Sequence, residues 1–98
     1  MLAFCELMNS NLIVASQAFD RGEASIGKIG RTKMINTYLA RQVCALAREV
    51  CGGNGIILDN HVMKAFMDLE GVHSYEGTYE VNALISAREL TGGLSAFK

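Results

Sequence analysis

Residues 35–55 read INTYLARQVCALAREVCGGNG, and this stretch decides the fold. Ile35, Leu39, Val43, Leu46 and Val50 recur at steps of four, four, three and four. That spacing lays one apolar stripe along an α-helix. Cys51-Gly52-Gly53-Asn54-Gly55 follows, and glycine just past a last turn is a common helix stop. Upstream, Ser25 is a plausible N-cap, so this helix is predicted to be the longest of the chain. Gly27 and Gly30 lie in its first turns, where each would cost about 1 kcal/mol relative to alanine.

The flanks repeat the pattern. Phe4, Met8, Leu12, Ala15 and Phe19 form a helical stripe over residues 2–19, and Asp20-Arg21-Gly22-Glu23 reads as a turn. Asp59 or Asn60 could cap a third, shorter helix carrying Val62, Phe66 and Leu69, which Glu70-Gly71 would end. A loop then leads to Thr78, the predicted cap of a fourth helix with Glu80 in its first turn and Val81, Leu84 and Ile85 pointing inward. Thr91-Gly92-Gly93 closes it. The prediction is an all-α domain, an antiparallel helical bundle of about four helices over residues 1–98. The first helix opens at residue 2 without a cap, which reads as the interior of a longer chain.

Composition narrows the function classes. The 98 residues are half hydrophobic, contain no proline and carry a net charge of −1. One domain is the upper bound. The two signs of charge are interspersed, so no basic face for nucleic acid or a polybasic membrane patch is present. Apolar runs fall well short of the roughly 18 residues of a membrane span. The N-terminus lacks a secretory signal, and Ala96-Phe97-Lys98 is not a peroxisomal address. Cys5, Cys44 and Cys51 read as packed free thiols rather than a disulfide framework. His61 and His73 have no cysteine partners at ligand spacing, so no metal site is expected. Arg41, Arg48 and Arg88 read as solvated helix residues.

Two segments carry candidate chemistry. Glu76 stands in "SYEGT", residues 74–78, with a glycine directly after it. It is either a surface turn residue or a general base, since a desolvated carboxylate can remove a carbon-bound proton. Gly52-Gly53-Asn54-Gly55 is either a helix stop or a bare backbone surface on which a nucleotide packs; it is not the phosphate fingerprint G-x-G-x-x-G.

Taken together, "CGGNGI" (residues 51–56), "MDLEGVHSYEGTYEVNAL" (67–84) and "ARELTGGLSAF" (87–97) resemble the end of an acyl-CoA dehydrogenase. The likeness is greatest to the glutaryl-CoA dehydrogenase branch and the related short-chain acyl-CoA oxidase. It covers essentially the whole chain and implies the C-terminal helical bundle of such enzymes without its first helix. The resemblance implies that Glu76 removes the α-proton of an acyl-CoA thioester while the β-hydride passes to FAD. It further implies that the Glu76 main-chain N–H and a flavin hydroxyl bind the thioester oxygen, and that Tyr75 and Gly77 border the substrate. Thr78, Glu80 and Phe97 would lie near FAD, and Glu49, Val50, Cys51, Gly52 and Gly53 would pack on the FAD of a neighbouring subunit in a homodimer or homotetramer. Cys51 replaces a commoner leucine, Glu80 an aspartate or glutamine, and Gly92-Gly93 lengthens the tail by one residue, which leaves the register of Phe97 open. Dehydrogenase and oxidase are not separated, and bacterial cytoplasm, mitochondrial matrix and peroxisome stay open. The alternative is a non-catalytic, truncated helical oligomerisation module.

Overall fold

The structure, a computed structural model, describes residues 1–93. Phe97 lies outside the described residues. Four α-helices follow in order: α1 (Leu2–Asp20), α2 (Ile26–Val50), α3 (Val62–Ser74) and α4 (Tyr79–Leu90). Two short 3₁₀ turns, Gly52–Ile56 and Leu58–Asn60, join α2 to α3, and no strand occurs among the described residues. The all-α architecture is the one the helical spacing predicts. Helix α2 is the longest element, and α1, α3 and α4 each pack against it.

The caps follow the side chains. Ser25 Oγ accepts the Lys28 N–H at 3.0 Å to open α2. Thr78 Oγ1 accepts the Val81 N–H at 3.3 Å to open α4. The third helix departs from prediction at both ends. Residues Leu58–Asn60 are taken up in a 3₁₀ turn, so His61 at φ 62° is the N-cap, and neither Asp59 nor Asn60 caps the helix. At the other end α3 runs through Gly71 to Ser74. Contacts on both sides of that glycine hold it helical: Arg41 Nε donates to Glu70 Oε1 at 2.6 Å, and Thr37 Oγ1 lies 2.9 Å from His73 Nδ1. These outweigh the roughly 1 kcal/mol that glycine costs inside a helix. Arg41 is therefore ion-paired rather than simply solvated.

Helix α4 also turns differently from its apolar pattern. Its buried residues are Asn82 and Ser86, whereas Val81 and Leu84 are 36% and 39% exposed and Ile85 is half-buried. The reason lies on α2. Gly27 and Gly30 are buried, and a Cβ on Gly30 would stand 3.1 Å from Asn82 Oδ1. A Cβ on Gly27 would stand 2.1 Å from Glu89 Oε2. The two glycines let α4 approach on its polar side, where Arg31 donates to Ser86 Oγ at 3.1 Å and to Glu89 Oε1 at 3.2 Å. The Ser25 hydroxyl first, and the Arg31 guanidinium with it, hold the Glu89 carboxyl below its ordinary range.

Among the described residues the buried apolar side chains are Ala15 and Ala18. On the α1 stripe Phe4 and Met8 are half-buried, and Leu12 and Phe19 are exposed. Cys5 is exposed rather than packed; Cys44 and Cys51 are half-buried, and burial raises the Cys44 thiol above its usual range. That is the opposite of what activates a cysteine nucleophile.

Gly55 is buried, and a Cβ there would fall 2.3 Å from the Arg48 carbonyl oxygen, whereas nothing lies near one on Gly53. Gly55→Ala is expected to destabilise the chain by about 1–3 kcal/mol, and Gly53→Ala by less than about 0.5 kcal/mol, measured by denaturant unfolding. Because the folded-state pKa of Glu89 is lowered, its contribution to stability is present above the ordinary carboxylate range and is lost as the pH falls from there through the lower folded-state value. Glu89→Gln should therefore flatten the acid limb of a stability–pH curve.

Candidate active site

The site is built where α3 hands over to α4. Tyr75 is extended (φ −85°, ψ 163°), Glu76 and Gly77 are left-handed (φ 54° and 92°), and Thr78 is extended again as the cap of α4. Two successive left-handed residues fold the chain sharply between the helices. Glycine adopts this conformation freely, but glutamate carries a cost of about 1 kcal/mol. Such a cost persists only where surrounding contacts fix the backbone.

Those contacts come from α2 and α4. Lys33 Nζ donates to the Tyr75 carbonyl and, at 2.5 Å, to the Gly77 carbonyl. The same ammonium stands 5.5 Å from the centre of the Tyr75 ring, within cation–π range. Asn82 Nδ2 donates to the carbonyls of Gly77 at 2.9 Å and Thr78 at 3.0 Å. Behind them Thr37 Oγ1 gives its proton to the Lys33 carbonyl at 2.9 Å, so its lone pair receives the Nδ1–H of His73. Tyr79 lies between Tyr38 and His73, with ring centroids 6.1 Å from each.

Glu76 itself is exposed, as are Tyr75, Thr78 and Glu80. The Glu76 N–H has no hydrogen-bond acceptor among the described residues. The desolvation that a carboxylate needs to act on a carbon acid is therefore not supplied by α1–α4.

The predicted site residues fall into two groups. Tyr75, Glu76, Gly77, Thr78 and Glu80 are contiguous at the α3–α4 junction. The Thr78 hydroxyl is engaged in its cap. Glu49, Val50, Cys51, Gly52 and Gly53 lie at the far end of α2, about 25 Å along its axis from Lys33 at 1.5 Å per residue. One copy of the chain does not bring the two groups together. At that far end Gly52 (φ 56°) and Gly53 are exposed, with open space where a Cβ would stand. A bare backbone of this kind suits the close approach of a flat group such as a flavin nucleotide. Among the described residues, no three His, Cys, Asp or Glu side chains gather to hold a metal ion, and no helix is long and apolar enough to cross a membrane.

Lys33, Thr37, His73 and Asn82 escape a sequence reading. Only Asn82, four residues after the Thr78 cap, carries a local signal, as a polar residue one helical turn in; Lys33 reaches the loop from a different helix.

A sequence model of one family, described as "Acyl-CoA dehydrogenase, C-terminal domain", matches residues 1–91. The chain belongs to that family. The acyl-CoA dehydrogenase domain accounts for the helical order seen here. Within the domain, Glu76→Gly is expected to relieve the left-handed cost and to raise stability by about 0.5–1 kcal/mol. Thermal unfolding of the two forms checks it, and an unchanged or lowered midpoint would show that the loop imposes no strain on Glu76.

Proposed function

We propose that the chain is the C-terminal part of an FAD-dependent acyl-CoA dehydrogenase or oxidase acting on glutaryl-CoA or a short-chain acyl-CoA. Glu76 is its general base. The observation that carries this reading is the pinned 75–77 loop: a glutamate in a left-handed conformation, with an exposed side chain and a main-chain N–H that has no acceptor among the described residues. Membership of the acyl-CoA dehydrogenase family supports the reaction class. The glutaryl-CoA or short-chain preference rests on the resemblance of the "CGGNGI", "MDLEGVHSYEGTYEVNAL" and "ARELTGGLSAF" segments taken together.

The chemistry follows from the geometry. Covering the loop would strip water from Glu76 and raise its proton affinity, so that the carboxylate can take the α-proton. The Glu76 N–H, with no acceptor among the described residues, would donate to the thioester oxygen as negative charge develops there. Gly77, left-handed and with the Asn82 amide 3.1 Å from where a Cβ would stand, lets the loop seat closely against α4. Bound FAD would supply the acceptor for the β-hydride. Thr78 and Glu80 would hold it on one side, and the 49–53 segment of a neighbouring copy, with its bare Gly52 and Gly53, on the other. That division matches the separation of the two groups along α2, and it calls for a homodimer or homotetramer.

A second reading is favoured by the exposed apolar residues: Leu2, Ile26, Val50 and Leu90 are each more than 70% exposed. These faces would also serve a helical oligomerisation module without catalysis. One experiment separates the two. In the complete flavoenzyme, Glu76→Gln should abolish α-proton abstraction while flavin stays bound, read from the absorbance of the oxidised flavin before and after acyl-CoA is added. Full reduction of the flavin by the variant would remove Glu76 from its role, whereas flavin left oxidised by acyl-CoA in the unsubstituted protein would favour the module.

A further inference from the structure

The contact between Lys33 and the 75–77 loop does more than hold it. The Tyr75 carbonyl and the Glu76 N–H belong to one peptide unit, which is planar and trans, so they point in opposite directions. Lys33 Nζ donates to that carbonyl, which directs the Glu76 N–H away from α2. The Gly77 carbonyl is held in the same way by Lys33 at 2.5 Å and by Asn82 at 2.9 Å, so the peptide units on both sides of Glu76 and Gly77 are fixed. The Glu76 N–H that results has no acceptor among the described residues. A cation on the carbonyl side of an amide also draws electron density from its nitrogen, making the N–H a stronger donor through hydrogen-bond cooperativity. The ammonium is itself steadied by the Tyr75 ring at 5.5 Å.

We propose that Lys33 is a positioning residue that aims and polarises the Glu76 N–H toward the oxygen of an acyl thioester. The proposal rests on the reading of Glu76 as the base. When Glu76 takes the α-proton, the C–H electron pair moves into the enolate and charge collects on that oxygen. The charge of Lys33 is felt there through a single peptide unit, without any contact between the lysine and the substrate. Asn82, which is uncharged, shares the geometric task at Gly77 but not the polarising one.

The test uses the complete flavoenzyme and 3,3-dimethylbutanoyl-CoA, which has α-hydrogens but no β-hydrogen to transfer. Two quantities are read: uptake of deuterium at the α-carbon in D₂O, and the infrared stretch of a ¹³C-labelled thioester carbonyl in the bound probe. Lys33→Gln and Lys33→Met are expected to slow exchange at saturation by about tenfold or more, less than the loss of a direct oxyanion donor. The probe concentration giving half-maximal exchange should change by no more than about twofold, because the ground-state thioester carries little charge. Lys33→Arg, which keeps the charge, is expected to recover most of the rate. The carbonyl band should be lowered in the wild type and in Lys33→Arg, and move back toward its free position in Lys33→Gln.

Wild-type exchange in both neutral variants would overturn the role of Lys33, and so would an arginine variant as slow as the glutamine one. Should the neutral variants not hold flavin, the wild-type band decides: an unshifted carbonyl overturns the proposal. Exchange retained by Glu76→Gln is a separate result, which removes the base reading beneath it.

Discussion

Two glycines on α2 set the distance between that helix and α4, and the position of everything at the α3–α4 junction follows from it. Gly30 leaves room for Asn82, and a Cβ there would press to 3.1 Å against its amide oxygen. Asn82 in turn holds the carbonyls of Gly77 and Thr78. Lys33 emerges from α2 one turn beyond Gly30 and reaches the same loop. A wider spacing of the helices would take Asn82 and Lys33 out of hydrogen-bond range together. The local cost of glycine in a helix, about 1 kcal/mol per residue, is thus offset by a backbone approach that larger residues would forbid.

That close approach contrasts with the looseness elsewhere. The described residues span 49 × 31 × 17 Å, with a radius of gyration of 15.8 Å, against about 13 Å for a compact domain of 100 residues. Helices arranged as a thin layer around one central helix bury little, and among the described residues the buried apolar side chains are two alanines. Hydrophobic stabilisation scales with area removed from water, so this layer derives comparatively little from its own packing. Much of the order between elements is polar instead. Asn11 and Asn36 tie α1 to α2 at 2.9 Å, Arg41 and Glu70 tie α2 to α3, and Arg31 with Glu89 ties α2 to α4. Partly exposed pairs of this kind are screened by water and contribute little to stability. They specify which helix meets which more than they hold the layer together.

The parts of this arrangement legible in the sequence are those governed by local chemistry. Ser25 and Thr78 cap their helices because a hydroxyl three residues before an unpaired N–H is a local geometric fact. The α2 stripe and its glycine stop are equally local. What escapes is decided by contacts between helices. Gly71 looks like a stop, and α3 continues through it because Glu70 and His73 both find partners on α2. Val81 and Leu84 look like core, and Asn82 and Ser86 take their place because α4 meets the glycine side of α2. At the candidate site Glu76 and Gly77 stand out as an acid–glycine pair in a turn, but Lys33 does not. Nothing in the run GKIGRTKMINT distinguishes Lys33 from Lys28 except the helix it faces.

The same division of labour bears on the chemistry. A left-handed glutamate whose flanking carbonyls are held by a lysine and an asparagine is fixed in direction, yet its carboxylate is open to water. Direction and basicity are separate requirements for proton abstraction from carbon: the first needs a rigid backbone, the second a low dielectric around the acid. Helices α2, α3 and α4 meet the first. The second must come with whatever covers the loop, whether substrate, cofactor or further protein. On the proposed reading of Glu76 as the base, keeping it hydrated until then has a physical advantage, since a permanently buried carboxylate would take up a proton from solvent and lose its capacity to accept one from carbon. On this account the chain supplies geometry, and binding supplies the proton affinity.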